Sequence, residues 1–132
     1  MRLDRTRLRI LAGGIAGWTA VTWGGRVNLL TGEEASDPAT WVRVGGSIAM
    51  GAVGALAAWR AAERPSAWTS AGLAAFAAWN VMIWGSSLVT TWQGDYSTPF
   101  KAVHTGLAAG SLALAGTAAG VVVRSVRAAD VR

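Results

Sequence analysis

The stretch SDPATWVRVGG, Ser36–Gly46, returns 61 residues later as STPFKAVHTGL, Ser97–Leu107. Each places a side chain able to cap a helix, Asp37 or Thr98, directly before a proline, Pro38 or Pro99. A capping oxygen followed by Pro at the first helical position is a helix-start signal, and in both copies the chain then turns apolar. Working outward at the same shift, Trp18 falls on Trp79, Trp23 on Trp84, Gly24 on Gly85, Val42 on Val103 and Gly45 on Gly106 without a gap. Self-similarity at a fixed period indicates a repeated supersecondary unit. The spacing predicts two copies of a helical hairpin.

Composition says where such hairpins belong. Only 14% of residues are charged, against about 25% in average globular chains. Four stretches are nearly free of charge: Ile10–Leu30, Val44–Trp59, Ala67–Trp92 and Ala102–Val123. A helix needs about 20 predominantly apolar residues to cross a bilayer, a length the second stretch reaches only if Trp41–Arg43 is included. We therefore expect four transmembrane helices, at about 9–31, 38–60, 65–93 and 99–124. Residues 1–64 and 65–132 would be the two hairpins, forming one membrane domain. Two helices per unit leave both hairpins in the same orientation, the parallel class of internal repeat. Short turns between long helices predict an up-down-up-down four-helix bundle. Gly32 and Gly94 are expected to close the preceding helices in the manner of a C′ glycine, and Arg64-Pro65 to open the third helix.

The charges that remain define a topology. Arg2, Arg5, Arg7 and Arg9 precede the first span; Arg60 and Arg64 separate the second from the third; Arg124, Arg127 and Arg132 follow the fourth. Lys and Arg collect in short cytoplasmic loops, which predicts both termini and the middle loop inside. Glu33, Glu34, Asp37 and Asp95 fall in the outer loops. Basic residues divided among helix ends in this way argue against a nucleic-acid surface. The basic start followed by an apolar run also fits a signal peptide, but it lacks an A-x-A cleavage site, so it is expected to remain as the first span. A single Lys among many Arg, with abundant Ala and Gly, suggests a bacterial cytoplasmic membrane, crossed several times.

Catalytic chemistry is poorly supplied. The chain has no Cys and one His, His104, and the predicted spans hold no Asp or Glu. No nucleophile–base pair or metal-ligand set emerges, so neither an enzyme nor a bound cofactor is expected. Trp41 and Trp92 would form an outer aromatic belt, and Trp59 and Trp68 an inner one. Trp18 and Trp79 lie near mid-span and are weak candidates to hold a flat apolar ligand such as a quinone or lipid tail. Trp23 and Trp84 follow five positions later, roughly 140° around a regular helix, so one ring of each pair is expected inward and the other toward lipid or a neighbour. Asn80 is a candidate intramembrane polar residue, bonding between helices or lining a path. Arg26, Arg43, Lys101 and His104 form a candidate outer-leaflet polar cluster, His104 taking the place of Arg43 in the second copy. Gly13 and Gly17, Gly51 and Ala55, Gly106 and Gly110, and Gly116 and Gly120 have the small-xxx-small spacing of close helix contacts.

These features together suggest a non-catalytic accessory or scaffold subunit of a larger membrane complex, in contact with the lipid bilayer and with other membrane subunits or itself. The alternative is a small homo-oligomeric channel or facilitator for an anion or small solute, with Arg26, Arg43, Asn80 and His104 around its path. A lipid- or quinone-contacting module stands third.

Overall fold

In the computed structural model, which describes residues 4–130, the only regular structure is helix. Arg2 and Arg132, counted above among the inner cations, lie outside this range. The order is α1 (Arg5–Thr19), a π-helical segment (Ala20–Gly24), α2 (Gly25–Leu29), α3 (Gly32–Ser36), α4 (Pro38–Glu63), α5 (Ala67–Gln93) and α6 (Thr98–Asp130). Three of these, α4, α5 and α6, are long and apolar enough to cross a membrane. Only 33%, 39% and 28% of their apolar windows are buried inside the protein. Monomeric soluble proteins rarely leave large contiguous apolar patches uncovered, so this surface suits a lipid environment.

The first helical stretch is built differently from the other three. Its pieces of 15, 5 and 5 residues are each short, yet the backbone stays right-handed helical through both joins, at Thr19 (φ −61°, ψ −46°) and Gly24 (φ −64°, ψ −41°). A π turn closes its hydrogen bonds from i to i+5, so the axis continues while the residue phase shifts.

Helix ends depart from the expected boundaries in several places. Asp37 does cap α4, accepting from the amides of Ala39 and Thr40 at 3.1 and 3.0 Å, with Pro38 in the first turn. In the second copy Thr98 is the first helical residue instead of its cap, and the amide of Lys101 bonds the carbonyl of Ser97. The third helix begins at Ala67, two residues beyond Pro65. Ser66 and Thr69 form a reciprocal capping box there, and this outweighs the start signal of the proline. Gly32 has a left-handed φ of +57°, but the preceding helix has already ended at Leu29, and Gly32 opens the short α3. Gly94 is extended (φ −79°, ψ 160°), not left-handed, although its amide still bonds Thr90.

Each long helix meets its sequence neighbour, α1 with α4, α4 with α5 and α5 with α6, and α1 also touches α6. The core occupies the end of the molecule that carries the α4–α5 turn. Large side chains come from α1 (Leu8, Leu11, Ile15) and α5 (Leu73, Phe76), while α4 and α6 offer mainly alanines, among them Ala57, Ala58, Ala61, Ala115 and Ala118. Large residues seated against small ones let helix backbones approach, and that approach is how helices associate in lipid.

Two predictions follow from this packing and capping. A Cβ on Gly54 would overlap the Phe76 ring, whereas one on Gly45 would meet open space. Gly54→Val is expected to lower stability in detergent by about 1–3 kcal/mol through overpacking, and Gly45→Ala not to lower it but to raise it by up to about 1 kcal/mol through helix propensity, both read by equilibrium unfolding. Asp37 is held below the usual carboxylate range, first by the Thr40 hydroxyl and then by the Ala39 and Thr40 amides. A lowered value means that its stabilising contribution is complete at neutral pH and is lost as pH falls through the folded value. Hydrogen-exchange protection at Ala39 and Thr40 should therefore drop on acidification below about pH 4, and this acid step should vanish in Asp37→Asn.

Candidate functional site

The polar groups inside the molecule concentrate around four tryptophans. Trp18 projects from α1 onto α6, where its indole N–H donates to Ser111 Oγ at 2.9 Å and its ring covers Gly110. Trp79 projects from α5 onto α4 and does the same with Ser47, at 3.0 Å, and Gly46. At both glycines a Cβ would overlap the indole, so only glycine admits the ring. Each tryptophan thus grips a helix of the other predicted hairpin. Trp18 and Trp79, the candidates for a flat ligand, each rest the Cζ2–Cη2 edge of the ring on protein and remain half-buried.

The two contacts match in chemistry but not in register. The tryptophans are 61 residues apart, whereas the Gly-Ser pairs they meet, in GSIA (Gly46–Ala49) and GSLA (Gly110–Ala113), are 64 apart. Three residues amount to just under one helical turn. An alignment without gaps passes over this pairing; the recurring Gly-Ser-x-Ala was the signal that could have found it.

Trp23 and Trp84 complete the quartet. Their rings pack against each other at 5.6 Å between centroids, tilted by 50°. All four rings contact another helix, with Trp84 buried and Trp18, Trp23 and Trp79 half-buried. In the first stretch the cause is the π segment. Its i to i+5 closure brings position 23 back toward the face of position 18. Beside this pair lie the two buried side-chain atoms that have no hydrogen-bond partner among the described residues, Thr22 Oγ1 and Trp84 Nε1. Asn80 is buried too, but its amide donates to the carbonyl of Phe76, one turn back on its own helix, at 2.9 Å. That bond is internal to α5 and joins no second helix.

Each predicted outer cation has its own neighbourhood. Arg26 on α2 pairs with Glu34 on α3 at 3.0 Å. Lys101 on α6 lies over the Trp92 ring at 5.8 Å, and Trp92 donates to Thr105 at 3.1 Å. His104 stacks on Phe100 at 3.9 Å and donates from Nδ1 to the Phe100 carbonyl, while Phe100 stacks on Tyr96 at 4.6 Å. Arg43 on α4 is exposed and makes no ion pair or side-chain hydrogen bond among the described residues. These four residues share an end of the molecule, but no common acidic or aromatic partner draws them into one site. Trp41, Trp59, Trp68 and Trp92 are all exposed near helix ends, as a belt requires, and Trp41 donates to the Ala35 carbonyl at 2.7 Å. No group of three His, Asp or Glu side chains suited to a metal ion occurs among the described residues.

No protein-family model, curated protein or solved structure matches this chain.

The two indole–serine contacts generate a prediction. Interhelical hydrogen bonds in membrane proteins average about 0.6 kcal/mol and reach about 1.7 kcal/mol. A double-mutant cycle of Trp18→Phe with Ser111→Ala should give a coupling within that range. Trp18→Phe combined with Ser47→Ala, which do not touch, should be additive within about 0.3–0.5 kcal/mol.

Proposed function

We propose that this chain is a non-catalytic integral membrane protein that serves as an accessory or scaffold subunit of a larger complex in a bacterial cytoplasmic membrane. On this reading the α1–π–α2 stretch is a fourth crossing, both termini lie inside, and the bundle is a duplicated hairpin. The duplication draws support from two features. The indole–serine contacts pair equivalent tryptophans with recurring Gly-Ser steps, and Trp23 meets its own repeat mate, Trp84. Two equivalent residues in contact lie on the axis that relates them.

The observation that carries the scaffold reading is the contrast between interior and surface. Inside, the tryptophans and Asn80 spend most of their polar and aromatic capacity on the protein itself. Outside, small residues stand open: a Cβ on Gly13 or Gly17 of α1, or on Gly106 or Gly116 of α6, would meet no atom of another helix within 4 Å. Small residues such as the Gly13–Gly17 pair permit close approach by another transmembrane helix, and α1 and α6 are in contact with each other.

The test is extraction at native expression in a mild detergent, followed by native-size analysis and mass spectrometry. A stoichiometric partner subunit is expected, and Gly17→Leu with Gly106→Leu should release it while the monomer remains folded. Migration solely as a lone protomer or a homo-oligomer would sink the accessory-subunit reading.

A further inference from the structure

A second polar feature lies at the opposite end from the outer cations. The last turn of α4 and the first turn of α5 bound an open cleft of about 640 Å³. Arg60, Glu63 and Arg64 line it from the α4 side, Ser66 and Trp68 from the α5 side, and Leu56 stands one turn deeper. We propose that this cleft binds the phosphodiester headgroup of an anionic phospholipid. The inference rests on the membrane placement argued above, though not on the scaffold role.

Charge is the first argument. Among the described residues the ion pairs are Arg7–Asp4 and Arg26–Glu34, so neither guanidinium of the cleft is neutralised by a carboxylate. Two guanidinium groups and the Glu63 carboxylate leave the site one positive charge, which balances one phosphodiester. Arg is suited to this task because its planar fork donates two parallel hydrogen bonds to phosphate oxygens. The backbone brings both forks to one place. Arg60 is still helical, while Arg64 is extended (φ −142°, ψ 92°) where the chain turns back, held by its amide to the Arg60 carbonyl at 2.8 Å.

The α5 side adds polarity without offering a competing site. The Thr69 hydroxyl is committed to Ser66, accepting from its amide and donating to its carbonyl. Ser66 Oγ accepts from the Thr69 amide at 3.3 Å, which leaves its own hydrogen for a ligand oxygen. The positive end of the α5 dipole faces the cleft and favours an anion there. Glu63 accepts hydrogen bonds, so it suits the free hydroxyls of a glycerol headgroup.

The walls identify the source as lipid. Leu56 and Trp68, both lining the cleft, are exposed beside the arginines. An apolar and aromatic rim next to paired guanidinium groups accommodates a glycerol backbone and the first acyl carbons, which a free phosphate ion does not possess. Basic pockets at the cytoplasmic surface are known to take such headgroups.

The experiment is native mass spectrometry of the intact protein, in mild detergent, with equimolar phosphatidylglycerol and phosphatidylcholine. One retained phosphatidylglycerol is expected, in clear preference to phosphatidylcholine. Arg60→Gln with Arg64→Gln should lower its occupancy by about tenfold or more, the scale of a lost charge-assisted pair, and Glu63→Gln should raise it. Because those arginines also orient the chain, Arg60→Lys with Arg64→Lys supplies a variant of unchanged charge. It should insert normally and still lose several-fold in occupancy, about the difference between a fork and a point charge. Equal retention of the two lipids, or wild-type occupancy in both double variants, overturns the proposal. Displacement of the lipid by millimolar inorganic phosphate alone overturns its assignment to lipid. A chain that fails to partition into membranes defeats the membrane reading itself, whereas an inserted chain without lipid preference defeats only this inference.

Discussion

Helices surrounded by hydrocarbon gain nothing from hiding apolar side chains from each other's surroundings, so their contact has to come from fit. In this protein fit means a bulky side chain on one helix seated where its neighbour carries almost none. Phe76 rests on Gly54, Trp79 on Gly46 and Trp18 on Gly110. Most of these contacts run in one direction, although Gly14 on α1 meets Leu114 of α6 and Gly72 on α5 meets Ala57 of α4. Helices α1 and α5 bring the large groups, while α4 and α6 bring alanine and glycine. Reversing a single pair would leave a void on one side and an overlap on the other.

The same requirement explains why the interior polar groups take the form they do. A tryptophan is large enough to fill the space above a glycine, and its one N–H needs only one acceptor. A serine beside that glycine supplies the acceptor at almost no cost in volume. The indole–glycine–serine contact therefore satisfies shape and hydrogen bonding together. It occurs twice, each time between helices that the sequence assigns to different hairpins. Where no such partner stands opposite, at Trp84 and Thr22, the polar atom is left without one.

Much of the helical architecture could be read from the sequence. Asp37-Pro38 marked the start of α4, and three of the four uncharged runs coincide with helices long enough to cross a membrane. Other features depended on competition that a motif does not record. Ser66 and Thr69 could satisfy two amides between them, so they displaced the start expected at Pro65. Gly94 had the right residue type for a left-handed closure, yet an extended conformation served the turn to Tyr96. The candidate site was less legible still. Trp18, Trp79 and Asn80 were noticed as mid-span residues, but their partners lie up to 93 positions away. The three-residue offset between the Gly-Ser steps hid that pairing from an ungapped comparison. The outer cations looked like a cluster because they share a depth, and depth along a helix says nothing about which face a side chain occupies.

The π segment at Ala20–Gly24 has a consequence for how this chain tolerates change in its length. Inserting or deleting one residue in a regular helix turns everything beyond it by about 100° and ordinarily ruins one end or the other. Here the N-terminal part of the first helical stretch is aligned by Ile15 and Trp18, and the C-terminal part by Trp23 and Arg26. The wide turn between them works as a vernier, keeping the two alignments independent. Indels in the first half of the protein should accumulate at this point before any other, since there the rotational error can be absorbed without disturbing either grip.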